Sequence, residues 1–464
     1  MNSLTQVIAA VSTPPGKGGV AIIRMSGDGA LEIAEKAFFA VSHKKITDYP
    51  PRTQIYGHII YNEEKIDDVL LTHFPAPHSY TGEDTVEIGC HGGILVTRTV
   101  LETLLALGAR LAEAGEFTRR AFVNGRLTLT EAEAISDLLE AKSREQMRLS
   151  SDSARERLSG KIGEIRKGLV DLMSSIYARI DYPDEDLGDF DDSEVLERLN
   201  IIEEKATLLL STYRTGRAIS EGISTVICGK PNVGKSTLYN ILAGEDAAIV
   251  TDIEGTTRDV LERTVPLGRI MLKICDTAGI RSDDSADAIE RIGIEKSREY
   301  IRKSELLFAL FDISEKFDEK DALIIEEIKS SSAAKIAILN KCDKEKKFDE
   351  NRLLGLFDRV ITVSAKDGDS ELLARLERIC NELFTDERIV TGKDAIISSS
   401  RQFAALTRAT EFIRVARESL ELGFSQDAVS TDVERALGAI SELDGIAVSE
   451  EIVSDIFAKF CVGK

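Results

Sequence analysis

The sequence predicts a multidomain protein that combines α/β and all-α architecture, and three observations support this. Its 464 residues exceed one ordinary domain and predict two to four. Strand-like and helix-like patterns alternate over residues 219–384, which is typical of a doubly wound, mostly parallel sheet. Helical patterns lie on both sides of that segment, so the α/β block is predicted to be inserted into a helical domain.

The first 120 residues mix short strand-like runs with Gly and Pro turns, which indicates a compact domain of strands and helices. Strands are predicted at 20–24, 69–74 and 85–89, and helices at 30–39 and 97–107. The predicted domains are therefore 1–120, a first helical part at 121–218, the α/β block at 219–384 and a second helical part at 385–464.

The helical parts carry their own boundary signals. Thr130 and Glu133 have the spacing of a capping box, which predicts a helix start. Residues 181–194 contain eight acidic and no basic residues, so they are interpreted as an exposed connector. Further helices are predicted at 193–212, 399–422, 431–443 and 449–460. Strands of the α/β block are predicted at 224–228, 269–275, 306–312, 335–339 and 360–363.

Composition excludes several classes of protein. The formal net charge of −21 argues against a whole-molecule nucleic-acid binder, although not against a local basic patch or a basic partner. No apolar run is long enough for a transmembrane helix, and the first residues lack a secretion signal. The six cysteines form no Cys-x-x-Cys pair, which predicts a reduced, cytoplasmic protein without a structural zinc site.

A phosphate-binding loop follows the first strand of the α/β block. Residues 229–236, Gly-Lys-Pro-Asn-Val-Gly-Lys-Ser, fit the pattern G-x-x-x-x-G-K-[ST] between a strand and a helix. In that setting backbone N–H groups and a helix N-terminus cradle phosphates. Lys235 is predicted to reach the β- and γ-phosphates, and the Ser236 hydroxyl to bind Mg²⁺.

A second loop predicts which nucleotide base is bound. Asn340, Lys341 and Asp343 follow an apolar strand, and a carboxylate at Asp343 can accept hydrogen bonds from both donors of guanine. Ser364, Ala365 and Lys366 follow the next strand and are predicted to close over the base.

The switch elements lie between these two loops. Asp276 suits a water-mediated Mg²⁺ contact, the Gly279 N–H suits the γ-phosphate, and Thr257 in a switch loop is predicted to bind Mg²⁺. Together the loops specify a GTPase. Ile280 stands where many small GTPases carry a water-orienting Gln, so another group must orient the attacking water.

From end to end the chain resembles the MnmE (TrmE) family of tRNA modification GTPases. The resemblance is carried by motifs at 13–20, 79–84, 91–93, 115–117, 229–237, 251–259, 276–279 and 290–295, and by the terminal Phe-Cys-Val-Gly-Lys at 460–464. The resemblance and the loops together predict a set of GTP-binding residues: Asn232, Val233, Gly234, Lys235, Ser236, Thr237, Thr251, Asp252, Ile253, Glu254, Gly255, Thr256, Thr257, Asp276, Thr277, Ala278, Gly279, Asn340, Lys341, Asp343, Ser364, Ala365 and Lys366.

This resemblance implies an N-terminal α+β dimerisation domain that binds a tetrahydrofolate derivative, a central helical domain and an inserted Ras-like G domain. Family members act in a heterotetramer with an FAD-containing partner, MnmG. Together they add an aminomethyl or carboxymethylaminomethyl group to C5 of the wobble uridine, position 34, of certain tRNAs. The one-carbon unit comes from 5-formyl- or methylene-tetrahydrofolate, and K⁺ pairs the G domains and stimulates hydrolysis.

The resemblance also assigns residues. It places K⁺ on Asn232, Thr251, Ile253 and Thr256, and the water-orienting acid on Glu290. A monovalent cation there can neutralise developing charge as an arginine finger does. Without the resemblance, Asn232 is better interpreted as an ordinary P-loop residue, since this position varies among P-loops. The alternative for Glu290 is a helix N-terminal acid that is favourable to the dipole.

The resemblance implies that Arg24, Glu87, Arg126 and Lys464 bind the folate. The Glu87 carboxylate can accept hydrogen bonds from the pterin, and Arg24 or Arg126 can bind the glutamate tail. Cys461 is a further catalytic candidate, with simple packing of the last helix as its alternative. The alternative function is a GTP-dependent ribosome-assembly or signalling switch without RNA chemistry. Residues 1–120 and the terminal Cys-Val-Gly-Lys favour the modification enzyme.

Overall fold

The computed structural model describes residues 6–181, 191–244, 262–275, 299–364, 369–445, 450–458 and 460–464. The chain forms two compact units, one of Met1–Leu139 with Ile440–Lys464 and one of Glu140–Ala439. Among the described helices, none is long and apolar enough to cross a membrane.

The first unit is built on a seven-stranded sheet in the order β3-β4-β5-β6-β2-β1-β7. Its strands are β1 (Ile8–Val11), β2 (Val20–Ser26), β3 (Phe38–Ala40), β4 (Gln54–Tyr61), β5 (Glu64–Phe74), β6 (Thr85–His91) and β7 (Arg110–Leu111). All pairs are antiparallel except β1 with β7. Alternating apolar residues of the strands bury one face against helices α1 (Ala30–Ala37) and α2 (Ile94–Ala106).

This unit also contains helices α3 (Glu116–Val123), α4 (Leu129–Glu140) and α14 (Glu450–Ala458). The capping box predicted at Thr130 and Glu133 is wrong by two residues. Thr128 and Glu131 form it, because the Thr128 hydroxyl accepts from the Glu131 N–H at 3.2 Å and the Glu131 carboxylate accepts from the Thr128 N–H at 2.8 Å. Thr130 is buried and donates instead to the Leu443 carbonyl.

The second unit contains a six-stranded sheet in the order β13-β12-β11-β8-β10-β9. Its strands are β8 (Ile223–Gly229), β9 (Glu262–Leu267), β10 (Ile270–Cys275), β11 (Leu306–Asp312), β12 (Ala334–Asn340) and β13 (Arg359–Thr362). Among the described strands of this sheet, β9 at the edge runs antiparallel to its neighbour β10, and all other pairs are parallel. Apolar clusters cover both faces, so the doubly wound architecture is confirmed.

Among the described residues, the α-helices that lie wholly or mostly in this unit are α5 (Arg144–Leu149), α6 (Asp152–Asp181), α7 (Asp192–Ser211), α8 (Tyr213–Ser220), α9 (Lys235–Ala243), α10 (Glu319–Lys329), α11 (Asp369–Phe384), α12 (Ser400–Glu421) and α13 (Gln426–Asp444). Helix α13 begins five residues before the predicted start at 431. Helices precede and follow the α/β block in the chain, and this confirms the combination of α/β and all-α architecture.

Candidate functional site

The loops that follow four parallel strands meet at one edge of the second sheet. Strands β8, β11, β12 and β13 run in the same direction, and the register pairs Asp312 with Asn340 and Leu310 with Gly229. Ligands of open α/β sheets bind in the crevice outside the carboxyl ends of the strands. This edge therefore assembles motifs that lie more than a hundred residues apart in the chain.

The P-loop turns sharply between β8 and α9. Asn232 and Gly234 have φ values of 66° and 108°, in the left-handed region. A Cβ atom on Gly234 would lie 2.2 Å from Nδ2 of Asn340, so only glycine fits there. The turn places the N-terminus of α9, with its N–H groups and positive dipole, at the sheet edge.

Lys235, Ser236 and Thr237 are the first residues of α9. The Lys235 ammonium donates to the carbonyl oxygens of Gly229 at 3.0 Å and Lys230 at 2.7 Å, so it lies across the loop. Ser236 and Thr237 are exposed. Hydroxyl oxygen at a helix start is a suitable ligand for Mg²⁺ beside phosphate oxygens, and Ser236 fits that role.

Asn340 joins the base loop to the P-loop. Its buried side chain donates to the Val233 carbonyl at 2.7 Å and accepts from the Lys341 N–H at 2.8 Å. Lys341 has a φ of 66°, and its ammonium bonds the buried Asp312 carboxylate. Burial raises the pKa of Asp312, but the hydrogen bonds from Lys341 and Ser314 outweigh burial and hold that pKa below its usual value.

Asp343 is exposed and accepts a hydrogen bond from the Ser364 hydroxyl at 3.0 Å. The Cys342 N–H donates to the Val363 carbonyl at 3.2 Å, so the two loops are also tied through their backbones. The described predicted residues of the nucleotide site thus lie on connected loops of one edge.

Other predicted residues lie outside the described part of the chain: Thr251, Asp252, Ile253, Glu254, Gly255, Thr256, Thr257, Asp276, Thr277, Ala278, Gly279, Glu290, Ala365 and Lys366. Ile280 lies there as well. The chain position of Asp276 directly follows β10, which is parallel to β8.

In the first unit, Arg24 and Glu87 form a direct ion pair. They are register partners on β2 and β6, and the guanidinium Nη2 lies 2.7 Å from Oε1 of Glu87. The guanidinium carbon also lies 5.5 Å from the Tyr80 ring centroid and 5.7 Å from that of Phe117. Both charged side chains keep some exposure, 20% and 26%, so an outside ligand can reach them.

Arg126 and Lys464 lie in two other segments of the first unit, after α3 and at the end of the chain. The Arg126 side chain lies against Gly82, in the loop that carries Tyr80. The last residues run beside β1, where the Ser12 hydroxyl donates to the Gly463 carbonyl at 3.1 Å. Gly463 has a φ of 97°, and a Cβ atom on it would lie 2.3 Å from the Val11 carbonyl oxygen.

The terminal segment is also fixed by Val462, which forms an antiparallel bridge with Ala114. Cys461 is exposed, while its carbonyl accepts from the Gly115 N–H at 3.5 Å. The backbone of this segment is therefore held by hydrogen bonds to other segments of the first unit. The exposed Cys461 thiol remains accessible.

A buried charge network connects the motifs of this unit. Arg120, only 1% exposed, bonds Glu116 at 3.0 Å and Glu83 at 3.0 Å, and Arg110 bonds Glu116 from the other side. Burial raises the pKa of Glu116, but the hydrogen bonds from Arg110, Arg120 and the Glu113 N–H hold that pKa below its usual value. Ser26 links Glu83 to β2, two residues from Arg24.

Sequence reasoning missed several residues of these sites. Asp312 ends a predicted strand next to the P-loop strand, so its position was available as a signal. Lys230 lies inside the P-loop motif, but its burial depends on α10 and has no local signal. Tyr80 and Phe117 fall in the motifs of the family, yet their contact with Arg24 is a tertiary feature.

The chain matches known families and proteins over almost its whole length. The family model described as "GTP-binding protein TrmE N-terminus" matches residues 7–126, and the model described as "MnmE helical domain" matches residues 129–461. The tRNA modification GTPase MnmE of Clostridioides difficile is 39% identical over 99% of this chain and 100% of its own. The chain belongs to the MnmE family of tRNA modification GTPases.

A second relative, the MnmE of Thermoanaerobacter sp. strain X514, is 40% identical over 98% of this chain and 99% of its own. Among solved structures, Era in complex with MgGDPNP and a 16S ribosomal RNA fragment is 24% identical, with a TM-score of 0.27, over 41% of this chain and 66% of that chain. Family membership confirms the resemblance, and with it the assignment of the chain as a GTPase.

Proposed function

We propose that this chain is a K⁺-stimulated, Mg²⁺-dependent GTPase that modifies the wobble uridine of certain tRNAs together with an FAD-containing MnmG-type partner. The added group is aminomethyl or carboxymethylaminomethyl at C5, and its one-carbon unit comes from a tetrahydrofolate. The observation that carries this proposal is membership of the MnmE family, combined with a P-loop and a guanine-type loop at one sheet edge.

The domain arrangement proposed with it has four segments. Residues 1–120 bind folate and dimerise, residues 219–384 form the G domain, and residues 121–218 and 385–464 form the helical domain that flanks it. The six free cysteines fit a reducing compartment, so we place the protein in the cytoplasm.

In the G domain, Lys235 binds the β- and γ-phosphates, and the N–H groups of the P-loop and of α9 hold the phosphate oxygens. Ser236 and Thr257 hold Mg²⁺, which supplies charge neutralisation at those oxygens. Asp343 accepts from the two guanine donors, while its bond from Ser364 fixes the carboxylate orientation. Adenine lacks that pair of donors, so the site selects GTP.

Asn232, Thr251, Ile253 and Thr256 are the residues proposed to hold K⁺, which would neutralise charge between the phosphates. Asn232 is exposed at the turn, with a backbone conformation that asparagine tolerates well, and its side-chain carbonyl suits a hard cation. Glu290 is proposed to orient the attacking water. GTP turnover should be faster in K⁺ than in Na⁺ at matched ionic strength, and equal rates would remove these K⁺ assignments.

In the N-terminal domain, Arg24, Glu87, Arg126 and Lys464 are proposed to bind the folate. Glu87 can accept from pterin donors, and the cations can bind the glutamate tail. Tyr80 and Phe117 keep Arg24 oriented, since both rings lie within 6 Å of its guanidinium. Cys461 remains a candidate for the chemistry because its thiol is accessible.

Homodimerisation through the N-terminal domain is supported by the uncovered face of its sheet. Val20, Tyr56 and Leu70 are 67%, 54% and 43% exposed there, although they are large and apolar. A cavity of about 320 Å³ on this face includes Glu87 in its lining. The face thus combines an apolar surface with a residue of the proposed folate site.

The decisive experiment is mass analysis of wobble uridines in tRNA from cells that lack this protein. Loss of the aminomethyl-type groups, restored by the wild-type gene, is the expected result. Unchanged nucleosides would overturn the modification function and favour a ribosome-assembly or signalling switch. Complementation with a Lys235→Ala variant then tests whether modification needs GTP hydrolysis, because that variant loses the phosphate-binding ammonium.

A further inference from the structure

The second residue of the P-loop motif, Lys230, is a lysine with only 7% of its surface exposed. Lysine is almost never this buried unless its charge is paired. In the motif this position accepts many residue types, so the P-loop pattern alone does not require a cation here. The burial of Lys230 therefore needs its own explanation.

Three carboxylates in the first turn of α10 and in the segment just before it explain the burial. The Lys230 ammonium lies 2.8 Å from Oδ2 of Asp321, 3.0 Å from Oδ2 of Asp318 and 3.5 Å from Oε2 of Glu315. Asp321 is itself fully buried, whereas Asp318 and Glu315 are 50% and 60% exposed. The Lys230–Asp321 contact is thus the inner, water-excluded part of the cluster.

Asp321 is held rigidly by its own helix. Asp318 caps α10 by accepting from the Asp321 N–H at 3.0 Å, and Asp321 returns the interaction by accepting from the Asp318 N–H at 3.1 Å. Buried Ile325 and Ile328 hold α10 in the apolar cluster on one face of the sheet. The ammonium of Lys230 is therefore bonded to a fixed point outside the P-loop.

The backbone of Lys230 lies in the nucleotide site at the same time. Its carbonyl oxygen accepts the Lys235 ammonium at 2.7 Å, and Gly229 supplies the second acceptor. One residue thus connects the phosphate-binding lysine, through its own backbone and side chain, to the N-terminus of α10. Neither half of this connection is visible in the P-loop motif alone.

We propose that the Lys230–Asp321 ion pair is a positioning device that fixes the first turn of the P-loop in its phosphate-binding shape before nucleotide arrives. This inference rests on the proposed nucleotide site. A loop that is already ordered loses less conformational freedom on binding, so the ion pair increases nucleotide affinity and residence time. Lys230 acts through the loop and contacts no reacting atom, so KM is affected more than kcat.

The test uses the full chain and the fluorescent nucleotide methylanthraniloyl-GDP. Lys230→Met removes the ammonium and keeps the length of the side chain. Lys230→Arg keeps a cation and serves as the conservative rescue. Lys205→Met is the matched control, because Lys205 pairs with Glu164 at 3.4 Å between exposed side chains of the helical region.

A second variant separates positioning from folding. Lys230→Met alone leaves the buried Asp321 without its cation, which lowers stability. The double variant Lys230→Met with Asp321→Asn removes both charges, and asparagine can still accept from the Asp318 N–H. The double variant should therefore regain the unfolding midpoint that the single variant loses.

The expected result is nucleotide affinity about tenfold weaker in both Lys230→Met proteins, mainly through faster dissociation, with GTP KM raised by a similar factor and kcat changed less. Lys230→Arg should recover most of the affinity. Affinity that returns together with stability in the double variant, or unchanged affinity in the single variant, would show a purely structural ion pair and overturn the inference. Failure of wild type to bind nucleotide would instead refute the proposed function itself.

Discussion

The nucleotide edge of the second unit and the Arg24 region of the first unit assemble their side chains in two different ways. At the nucleotide edge, each functional group lies in a short contiguous motif at the end of a strand, and the parallel sheet brings the motifs together. In the Arg24 region, single residues from two strands, a loop and a helix meet on an antiparallel sheet, where Glu87 pairs with Arg24 and the Tyr80 and Phe117 rings flank the guanidinium. The first arrangement is visible in sequence, while the second depends on register.

The two regions also differ in the interactions that dominate them. Backbone geometry dominates at the nucleotide edge, where the left-handed turn and the start of α9 supply N–H groups directly. Paired side-chain charges dominate in the first unit, where Arg120 and Glu116 are both almost fully buried. Removal of one partner from such a pair leaves a buried charge, so single substitutions there act on stability as well as on binding.

The largest effect is expected for Asp343→Asn at the nucleotide edge. The asparagine amide opposes one guanine donor with a donor of its own, so affinity for GDP should fall about 10²- to 10³-fold. Xanthine carries a carbonyl in place of the guanine amine, so affinity for XDP should rise. Displacement of a fluorescent nucleotide measures both, with Glu345→Gln, an exposed acid of the same loop region, as the control. Unchanged base preference would separate Asp343 from base recognition.

An intermediate effect is expected for Arg24→Ala in the first unit. The change leaves the half-buried Glu87 without its cation and removes a cation that we propose binds the glutamate tail of the folate. Formyl-tetrahydrofolate should therefore bind about 30-fold more weakly. Calorimetry of wild type and variant measures this. Arg98→Ala, which breaks an exposed pair with Glu102, is the matched control. If Arg24→Ala and Arg98→Ala bind folate equally well, the folate assignment of Arg24 is wrong.

The smallest effect is expected for Glu116→Gln, which should reduce stability near neutral pH by about 1.5 kcal/mol. The folded state holds the pKa of Glu116 below its usual value, so this carboxylate stabilises the protein above pH about 4.3. That contribution is lost as the pH falls through the lowered folded pKa.

Thermal unfolding from about pH 6 down to about pH 3 tests this behaviour. The wild-type midpoint should fall more steeply with acidification than that of Glu116→Gln. Glu102→Gln, a change in an exposed pair, should follow the wild-type curve. Parallel curves for wild type and Glu116→Gln would show that Glu116 carries no acid-sensitive stability.

The sequence predicted five of the six described strands of the α/β block to within a few residues, because buried parallel strands are continuous apolar runs. The antiparallel edge strand β9 (Glu262–Leu267) was missed. The strand predicted at 306–312 is Leu306–Asp312, and that predicted at 269–275 is Ile270–Cys275. The first unit was predicted less completely. Strands β1, β3 and β7 were missed because β3 and β7 are two or three residues long and β1 only four. Strand β4 was missed although it is eight residues long.

The error at Thr130 has a comparable cause. Two overlapping Thr-x-x-Glu patterns start at Thr128 and Thr130, and sequence cannot choose between them. A tertiary contact decides between them. The Thr130 hydroxyl donates to the carbonyl of Leu443, more than three hundred residues later, and Thr128 caps the helix instead.

Sequence by itself determined the family, the order of architectures and the identity of the guanine-nucleotide loops, because phosphate and base recognition need fixed residue types at fixed short spacings. Only the tertiary structure decided how Lys230 is neutralised, how Arg24 is oriented by two aromatic rings and how the terminal segment docks beside β1. Those features depend on pairs of residues far apart in the chain. Their energies arise from burial and register, which no local pattern encodes.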